Sequence, residues 1–314
     1  MHKISVVMAC YNGEREVKNL LDSLRKQTRI PDEILILDDH STDDTVSIVQ
    51  AYIEAYQPSG WTLIRNEQNL GWKRNFMQGM IRAEGDLIFP CDQDDLWDPE
   101  KIERMEEMMD RNPQISLLAC DYRLEFEDGS VPMKVYRKKE QEKTGEIAQY
   151  QFTSRFFQNP SPGCTYAVRK TFLDQVRDYW FPEAPHDEFL WLMAAMEDSA
   201  WFLNRKLMTI RRGSANASDI KYKDIPMQQK NLEYISKMLD RMEQYAGSHP
   251  DTVSSAKKEL LKEAQIWCRK RQRLMEKRNP FFWIGMFPYW KYYNSFKNCL
   301  SDPYLILFGS FSRR

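Results

Sequence analysis

Ile4-Ser5-Val6-Val7-Met8-Ala9 is a short apolar, β-branched run that reads as a buried strand, and Tyr11-Asn12-Gly13 breaks it. Val17, Leu20, Leu21 and Leu24 then keep helical spacing, which predicts a helix from about Glu14 to Lys26. Ile34 to Leu37 repeats the strand pattern after Pro31. Ser41 reads as the N-cap of the next helix, with Asp43 and Asp44 in its first turn and Val46, Val49 and Ile53 on its buried face. Trp61 to Ile64 is a third strand, Asn75 to Arg82 lies on a helix, and Leu87 to Phe89 is a fourth strand. Strand–helix alternation of this kind predicts an α/β fold with a mostly parallel sheet and helices on both faces.

The strand ends carry the chemistry. The first, second and fourth strands run into Tyr11-Asn12, Asp38-Asp39 and Asp92-Gln93-Asp94-Asp95. In open α/β sheets ligands bind beyond the carboxyl ends of the strands, so these groups should converge. Three carboxylates within four residues at Asp92, Asp94 and Asp95 repel one another unless a cation sits among them. A hard divalent ion sharing its ligands with a phosphate is the natural candidate. A solvated acidic turn ahead of the helix at Pro99 explains the same cluster about equally well. The chain has no GxGxxG and no GxxxxGK[ST], so a phosphate site here would use a metal in place of a glycine cradle.

Composition removes several alternatives. The 314 residues, 42% hydrophobic and 29% charged, suit one large or two modest soluble domains. Six scattered cysteines without CxxC spacing argue against a zinc site or a disulfide framework and favour a reducing cytosol. No secretory signal pattern opens the chain, and no apolar window is long enough to predict a membrane span.

The segments Val6 to Gly13, Leu37 to Thr45, Asn69-Leu70-Gly71-Trp72-Lys73-Arg74-Asn75 and Cys91 to Trp97 together resemble the family 2 glycosyltransferases. The last is similar to that family's DXD element, in the DQDD-x-W form of its rhamnosyltransferase-like branch. The resemblance implies a GT-A fold, a Rossmann-like mixed sheet, binding a UDP- or dTDP-linked nucleoside diphosphate sugar with Mg2+ or Mn2+. It implies that Tyr11 and Asn12 border the base, that Asp39 hydrogen-bonds it with Asp38 in support, and that Arg74 contacts the nucleotide. Asp92 would face the ribose or sugar and, with Asp94, ligate the metal. His40 departs from the family, which usually has a small residue there and often glycine.

Farther along, Pro99, Ile102, Met105 and Met109 mark a helix to about Arg111, and Ile115 to Ala119 a strand that resumes toward Phe126 after a break. Glu127 to Gly145 is charged and aperiodic, and is expected to be a mobile loop. Phe157 to Tyr166 resembles a segment that borders donor sugar and acceptor in the same branch. Pro185-His186-Asp187-Glu188 opens an apolar helix, where an acid is commonly a cap or dipole partner. The segment also resembles the family's histidine–aspartate motif. That makes Asp187 the catalytic base and Glu188 its alternate. Arg211-Arg212-Gly213 stands where the family often carries a histidine before the glycine. Arginine does not ligate a metal, but it clamps phosphate, so either arginine would hold the diphosphate or both are ordinary surface residues.

Helical spacing returns at Leu232 to Met242 and at Leu260 to Leu274, as a helical hairpin. From Lys257 to Arg314 there are thirteen Lys or Arg and four acidic residues, interleaved with the aromatic stretches Phe281 to Trp290 and Tyr304 to Phe308. Such composition suits an anionic membrane surface, and docking on the catalytic domain or across a homo-oligomer interface is the other account. No nucleic-acid motif accompanies it. The expected organisation is a GT-A catalytic domain over 1–217, with a nucleotide-binding half at 1–98 and an acceptor half at 99–217, and a helical region over 218–314.

The combined expectation is an inverting, metal-dependent hexosyltransferase. It would act on a saccharide or lipid-linked saccharide for a bacterial surface polysaccharide, at the cytoplasmic face of the membrane. A catalytically silent scaffold of the same fold is the first rival. A nucleotidyltransferase is the second, weakened by the missing glycine-rich phosphate loop.

Overall fold

The computed structural model describes residues 2–126, 146–212 and 224–309, with Arg212 described by its backbone alone. The expected loop from Glu127 to Gly145, and Gly213 to Asn216 after the two arginines, lie outside the described residues.

The chain opens with β1 (Ile4–Cys10), α1 (Val17–Arg25), β2 (Glu33–Asp38), α2 (Thr45–Tyr56), β3 (Trp61–Arg65), α3 (Trp72–Arg82) and β4 (Leu87–Asp92). The strands pair in parallel in the order β3-β2-β1-β4. Alternate side chains of each strand enter opposite cores, as the two-residue repeat of a pleated strand requires. Val6 and Met8 pack with α1 and α2, while Val7 packs with α3. That helix lies tight on the sheet: a Cβ on Gly79 would sit 2.0 Å from Leu37 Cδ1 and 2.7 Å from Val7 Cγ1.

Two boundaries differ from the sequence expectation. Ser41 does not cap α2, because its amide donates to Asp38 Oδ2 at 3.0 Å and its hydroxyl accepts from the Asn12 amide at 3.0 Å. Its hydroxyl is therefore held by the site loop, and the helix begins four residues later, at Thr45. α1 starts at Val17, after a turn in which the Glu16 and Val17 amides both donate to Gly13 O. α3 starts at Trp72, because Gly71, at φ +81°, turns the chain into the helix with a backbone that favours glycine.

The second half is mixed. β5 (Leu96–Trp97), α4 (Lys101–Arg111), β6 (Leu117–Phe126), β7 (Ile147–Gln149), β8 (Tyr166–Arg169), α5 (Lys170–Val176), α6 (His186–Met196) and β9 (Ala200–Arg212) follow. β6 and β9 pair in parallel, while β5, β7 and β8 join antiparallel, so the sheet is not parallel throughout. β8 joins β4 antiparallel and extends the order through β6 and β9 to β5, with β7 also on β9. The predicted break in β6 is present as register shifts on either side of Asp121. α6 is apolar all round and buried, with Phe189 to Met196 in the core.

α7 (Ile225–Ser248) and α8 (Ser255–Lys277) form the expected hairpin. A 3-10 run, Pro280–Tyr292, and α9 (Phe296–Phe308) fold back on α8. Met286, Tyr292, Cys299 and Leu305 join Trp267 and Leu274 in a core that is continuous with α6. Arg271 donates from Nε and Nη2 to both oxygens of Asp302, each at 2.9 Å, and fastens α9 to α8. No helix among the described residues is long and apolar enough to cross a membrane.

Candidate active site

Parallel pairing sets the strand ends side by side. Cys10 lies opposite Asp38 on one flank, and Ala9 opposite Asp92 on the other. The three polar strand ends therefore share one edge of the sheet.

Gln93 ties two of them together. Its Oε1 accepts from the Tyr11 amide at 2.8 Å, and its Nε2 donates to Tyr11 O at 3.1 Å. This bracket leaves the Tyr11 ring half exposed, as a shelf. A Cβ on Gly13 would lie 2.4 Å from Gln93 Oε1, so a side chain there would push the Gln93 amide out of its bracket. Asn12 sits in the left-handed region at φ +49°, and its Oδ1 accepts from the Thr42 amide at 2.9 Å. His40 adopts the same region, φ +66°, with Nδ1 3.2 Å from Asn66 O, so the turn that a small residue usually makes is made here by histidine.

Asp38 is buried. Its Oδ2 lies 3.6 Å from Arg65 Nε, while its Oδ1 has no hydrogen-bond partner. Asp39 is buried too, and it organises the Asn66–Gly71 loop. Oδ1 accepts from Asn66 Nδ2 and the Leu70 amide at 2.9 and 2.8 Å, and Oδ2 from the Gly71 amide at 2.9 Å. A carboxylate offers about four acceptor directions, so Asp39 keeps one for a ligand. Arg74 is exposed on the first turn of α3, its amide donating to Gly71 O.

The β4 carboxylates form the centre. The ligand atoms of Asp92, Asp95 and Cys164 all lie within 4.8 Å of one another. Asp92, partly open to solvent, has its carboxyl pushed up to about 7, first by desolvation and then by the charge of Asp94. The charge of Asp187 adds to that rise. Asp95 is buried with Oδ1 unpartnered, and desolvation together with Asp92 lifts it well above the carboxylate range. Burial also raises the Cys164 thiol far above its ordinary value. Cys164 is therefore a protonated donor to Asp92 and a poor metal ligand. An orphaned buried carboxylate oxygen among crowded acids fits a hard divalent cation bound through oxygen.

The chain also supplies a cation of its own. Lys101 is fully buried on α4, with Nζ donating to Cys164 O at 2.6 Å and seated 3.5 Å from the centroid of the Trp97 ring. Its charge pulls down both Asp92 and Asp95. The sequence disguised it, because a lysine in the first turn of an amphipathic helix reads as a solvated residue.

From the opposite wall comes the N-terminus of α6. Asp187 Oδ1 accepts from the Glu188 amide at 2.8 Å. Glu188 is pushed up to about 7 by burial, with the Tyr234 hydroxyl of α7 and the Lys73 charge opposing the rise. His186 is buried, stacked on Phe76 at 4.3 Å, with neither ring nitrogen partnered, and burial keeps it neutral. A Cβ on Gly163 would stand 2.4 Å from His186 Nε2 and 2.9 Å from Asp187 Cβ. The Phe157–Tyr166 segment thus packs directly on the base candidate, and only glycine fits at 163.

The two arginines are placed differently from the carboxylates. Thr209 pairs with Leu96, so Arg211 stands two residues beyond the neighbour of the acidic turn. Its Nε is 3.2 Å from Glu125 Oε2. Arg212 closes β9 opposite Phe126. The structure brings Asp92, Asp94, Asp95 and Asp187 together and leaves Arg211 on a strand-edge ion pair. Lys101 and Tyr234 are contributors that sequence reasoning missed, while Gln93 and Gly163 lay in segments it had marked without giving either a role of its own.

Comparison with known proteins agrees with this architecture. The model of the family described as Glycosyl transferase family 2 matches residues 5–174. The dTDP-rhamnosyl transferase RfbG of Shigella flexneri is 26% identical over 220 residues, covering 67% of this chain and 72% of that protein. Mycobacterial relatives at 33% identity match over 129 residues, and the chain spans only 37% of their length. Among solved structures, S. aureus TarS 1-349 in complex with UDP-GlcNAc superposes with a TM-score of 0.61 at 16% identity, covering 99% of this chain and 93% of that one. The mannosyltransferase PcManGT from Pyrobaculum calidifontis, in complex with GDP-Man and Mn2+, gives 0.54 at 16% identity, covering 99% and 76%. With the family model matching more than half of the chain and a mixed sheet that ends in these acids, the protein belongs to glycosyl transferase family 2 and has the GT-A fold.

Proposed function

We propose that this chain is an inverting glycosyltransferase that moves a sugar from a nucleoside diphosphate sugar to an acceptor hydroxyl. The observation that carries the reading is the convergence of the β4 acids with Asp187 of α6, close enough for the Asp187 charge to raise Asp92. A donor whose diphosphate lies at β4 has its anomeric carbon directed toward a carboxylate on the facing wall.

In this reading Tyr11 and Asn12 flank the base, Asp39 uses its remaining acceptor direction on it, and Asp38 fixes the loop beneath. Arg74 lies on the nucleotide side. Asp92 and Asp94 would hold Mg2+ or Mn2+, which supplies charge neutralisation for the departing diphosphate. PcManGT, crystallised with GDP-Man and Mn2+, supports that choice. The acceptor oxygen bonds to the anomeric carbon as the bond from that carbon to the phosphate oxygen breaks. The electron pair leaves with the diphosphate, and the acceptor proton passes to Asp187. Glu188, already near 7, stands one residue away to take the proton onward. Arg211 or Arg212 would clamp the diphosphate, Arg211 after releasing Glu125.

The likeness to RfbG, a dTDP-rhamnosyl transferase, supports a dTDP-linked deoxysugar donor, and UDP-linked hexoses are the other class. The acceptor is a saccharide, free or lipid-linked, of a bacterial surface polysaccharide.

Donor hydrolysis and transfer with UDP- and dTDP-sugars in Mn2+ provide the test. Asp94→Ala should abolish both, and Asp187→Asn should lower transfer by about a thousandfold while leaving nucleotide binding intact. No turnover and no thermal stabilisation by any nucleoside diphosphate would instead assign the chain to a silent scaffold of the same fold.

A further inference from the structure

We infer that the 3-10 run Pro280–Tyr292 and α9 form a docking face for an anionic lipid bilayer, which the chain binds without crossing. Ten of the fifteen exposed large apolar side chains among the described residues lie between Phe281 and Phe308. Phe281, Ile284, Leu307 and Phe308 are 77%, 64%, 64% and 66% exposed. A concentration of this size is outside what scattered surface apolar residues explain.

The layer is built on both sides. Its inner face, with Met286, Tyr292, Cys299 and Leu305, is in the core, and Trp283 Nε1 donates to Cys299 O at 2.8 Å. Trp290 meets Phe296 edge-on at 6.0 Å, which makes the two outer segments one surface. The exposed rings therefore belong to a fixed scaffold that presents them outward.

Charge selects the occupant. Residues 269–309 contain eight Lys or Arg against Glu276 and Asp302. Asp302 is taken by Arg271, and Lys291 by Glu263. The Arg273 guanidinium sits 4.9 Å from the centroid of Phe282, and Lys270 Nζ 5.5 Å from that of Tyr289. Cations interleaved with aromatic rings on one apolar layer match a bilayer interface, where rings lie below the headgroups and cations among them. A second copy on the same face would set like charges against each other across the two-fold axis. The surface serves a transferase whose acceptor is lipid-linked and so rests on that reading for its purpose. Vesicle binding is read without donor or acceptor, so the two fail separately.

The test is flotation of the full chain with vesicles of phosphatidylcholine, with and without about one-third phosphatidylglycerol. The chain should float with the anionic vesicles and be released at about 0.5 M salt. Ile284→Asp with Leu307→Asp, and separately Arg273→Glu with Lys277→Glu, should each weaken binding at least about tenfold with an unchanged thermal midpoint. The proposal is overturned if the chain stays unbound on anionic vesicles or if both variants float like the parent. A concentration-dependent dimer abolished by the apolar pair, with no flotation, overturns it in favour of a second copy.

Discussion

Lys101 and Glu188 are buried ionisable groups at the acidic site, Lys101 acting on the acids beside it and Glu188 shifted chiefly by its own burial. Lys101→Met takes away a buried cation whose charge acts on both Asp92 and Asp95. Loss of one partner of a buried charge set costs about 3 kcal/mol, so the thermal midpoint without metal should fall. Removing a positive charge also removes repulsion toward an incoming ion. Stabilisation by Mn2+ should therefore be larger in this variant than in the parent, and calorimetry over an Mn2+ series reads both effects. Glu188 gives a pH signature. Its carboxyl sits near 7 in the folded chain, above the ordinary 4.5, so the folded state holds the proton more tightly. The stability this provides is fully present below about pH 4.5 and is lost as pH rises through about 7. Glu188→Gln should flatten that slope, raising the thermal midpoint at pH 8 relative to the parent and much less at pH 5. An unchanged slope would refute the assignment. The acidic cluster announced Asp92 and Asp94 as candidates and a family resemblance announced Asp187, but a burial state is a property of the packed chain. Nothing in Lys101-Ile102-Glu103 tells a reader that the lysine faces inward.

The elements tell a similar story with a different division. β1, β2, β4 and α1 were legible because each is a local pattern, an apolar run or a helical stripe with a breaker at its end. The antiparallel half was not. β5 is two residues long and exists only because Leu96 and Trp97 find Thr209 and Met208 more than a hundred residues later. Ser41 misled for the same reason: its hydroxyl bonds a loop from another strand end in place of its own helix. Two side chains test how the elements hold the site. Gly163→Ala forces a methyl into His186 and Asp187, and should reduce transfer by more than about tenfold while costing about 1–3 kcal/mol of stability. Transfer kinetics beside a melting curve decide it. Gln93→Glu replaces the donor to Tyr11 O with a second acceptor, which opens the bracket between β1 and β4. Nucleotide affinity, measured by calorimetry, should drop several-fold, while Gln93→Ala should do no worse.

For the whole molecule, the central fact is that one apolar core runs from the sheet through α6 into α7, α8 and α9. Asp302→Ala would strand the buried Arg271 guanidinium and remove the acceptor for the Tyr293 hydroxyl, at about 3–5 kcal/mol. Limited proteolysis should then cut after about residue 278 in the variant and not in the parent. The seating of Tyr234 at Glu188 means that loosening this region should also reach the wall that carries Asp187.

Lys101 has one more implication, for the order in which the protein is assembled. A chain that carries its own counter-ion among the acids is expected to complete its fold without waiting for a divalent ion. On the proposed metal-assisted reading, a chelator should silence transfer reversibly without unfolding the chain.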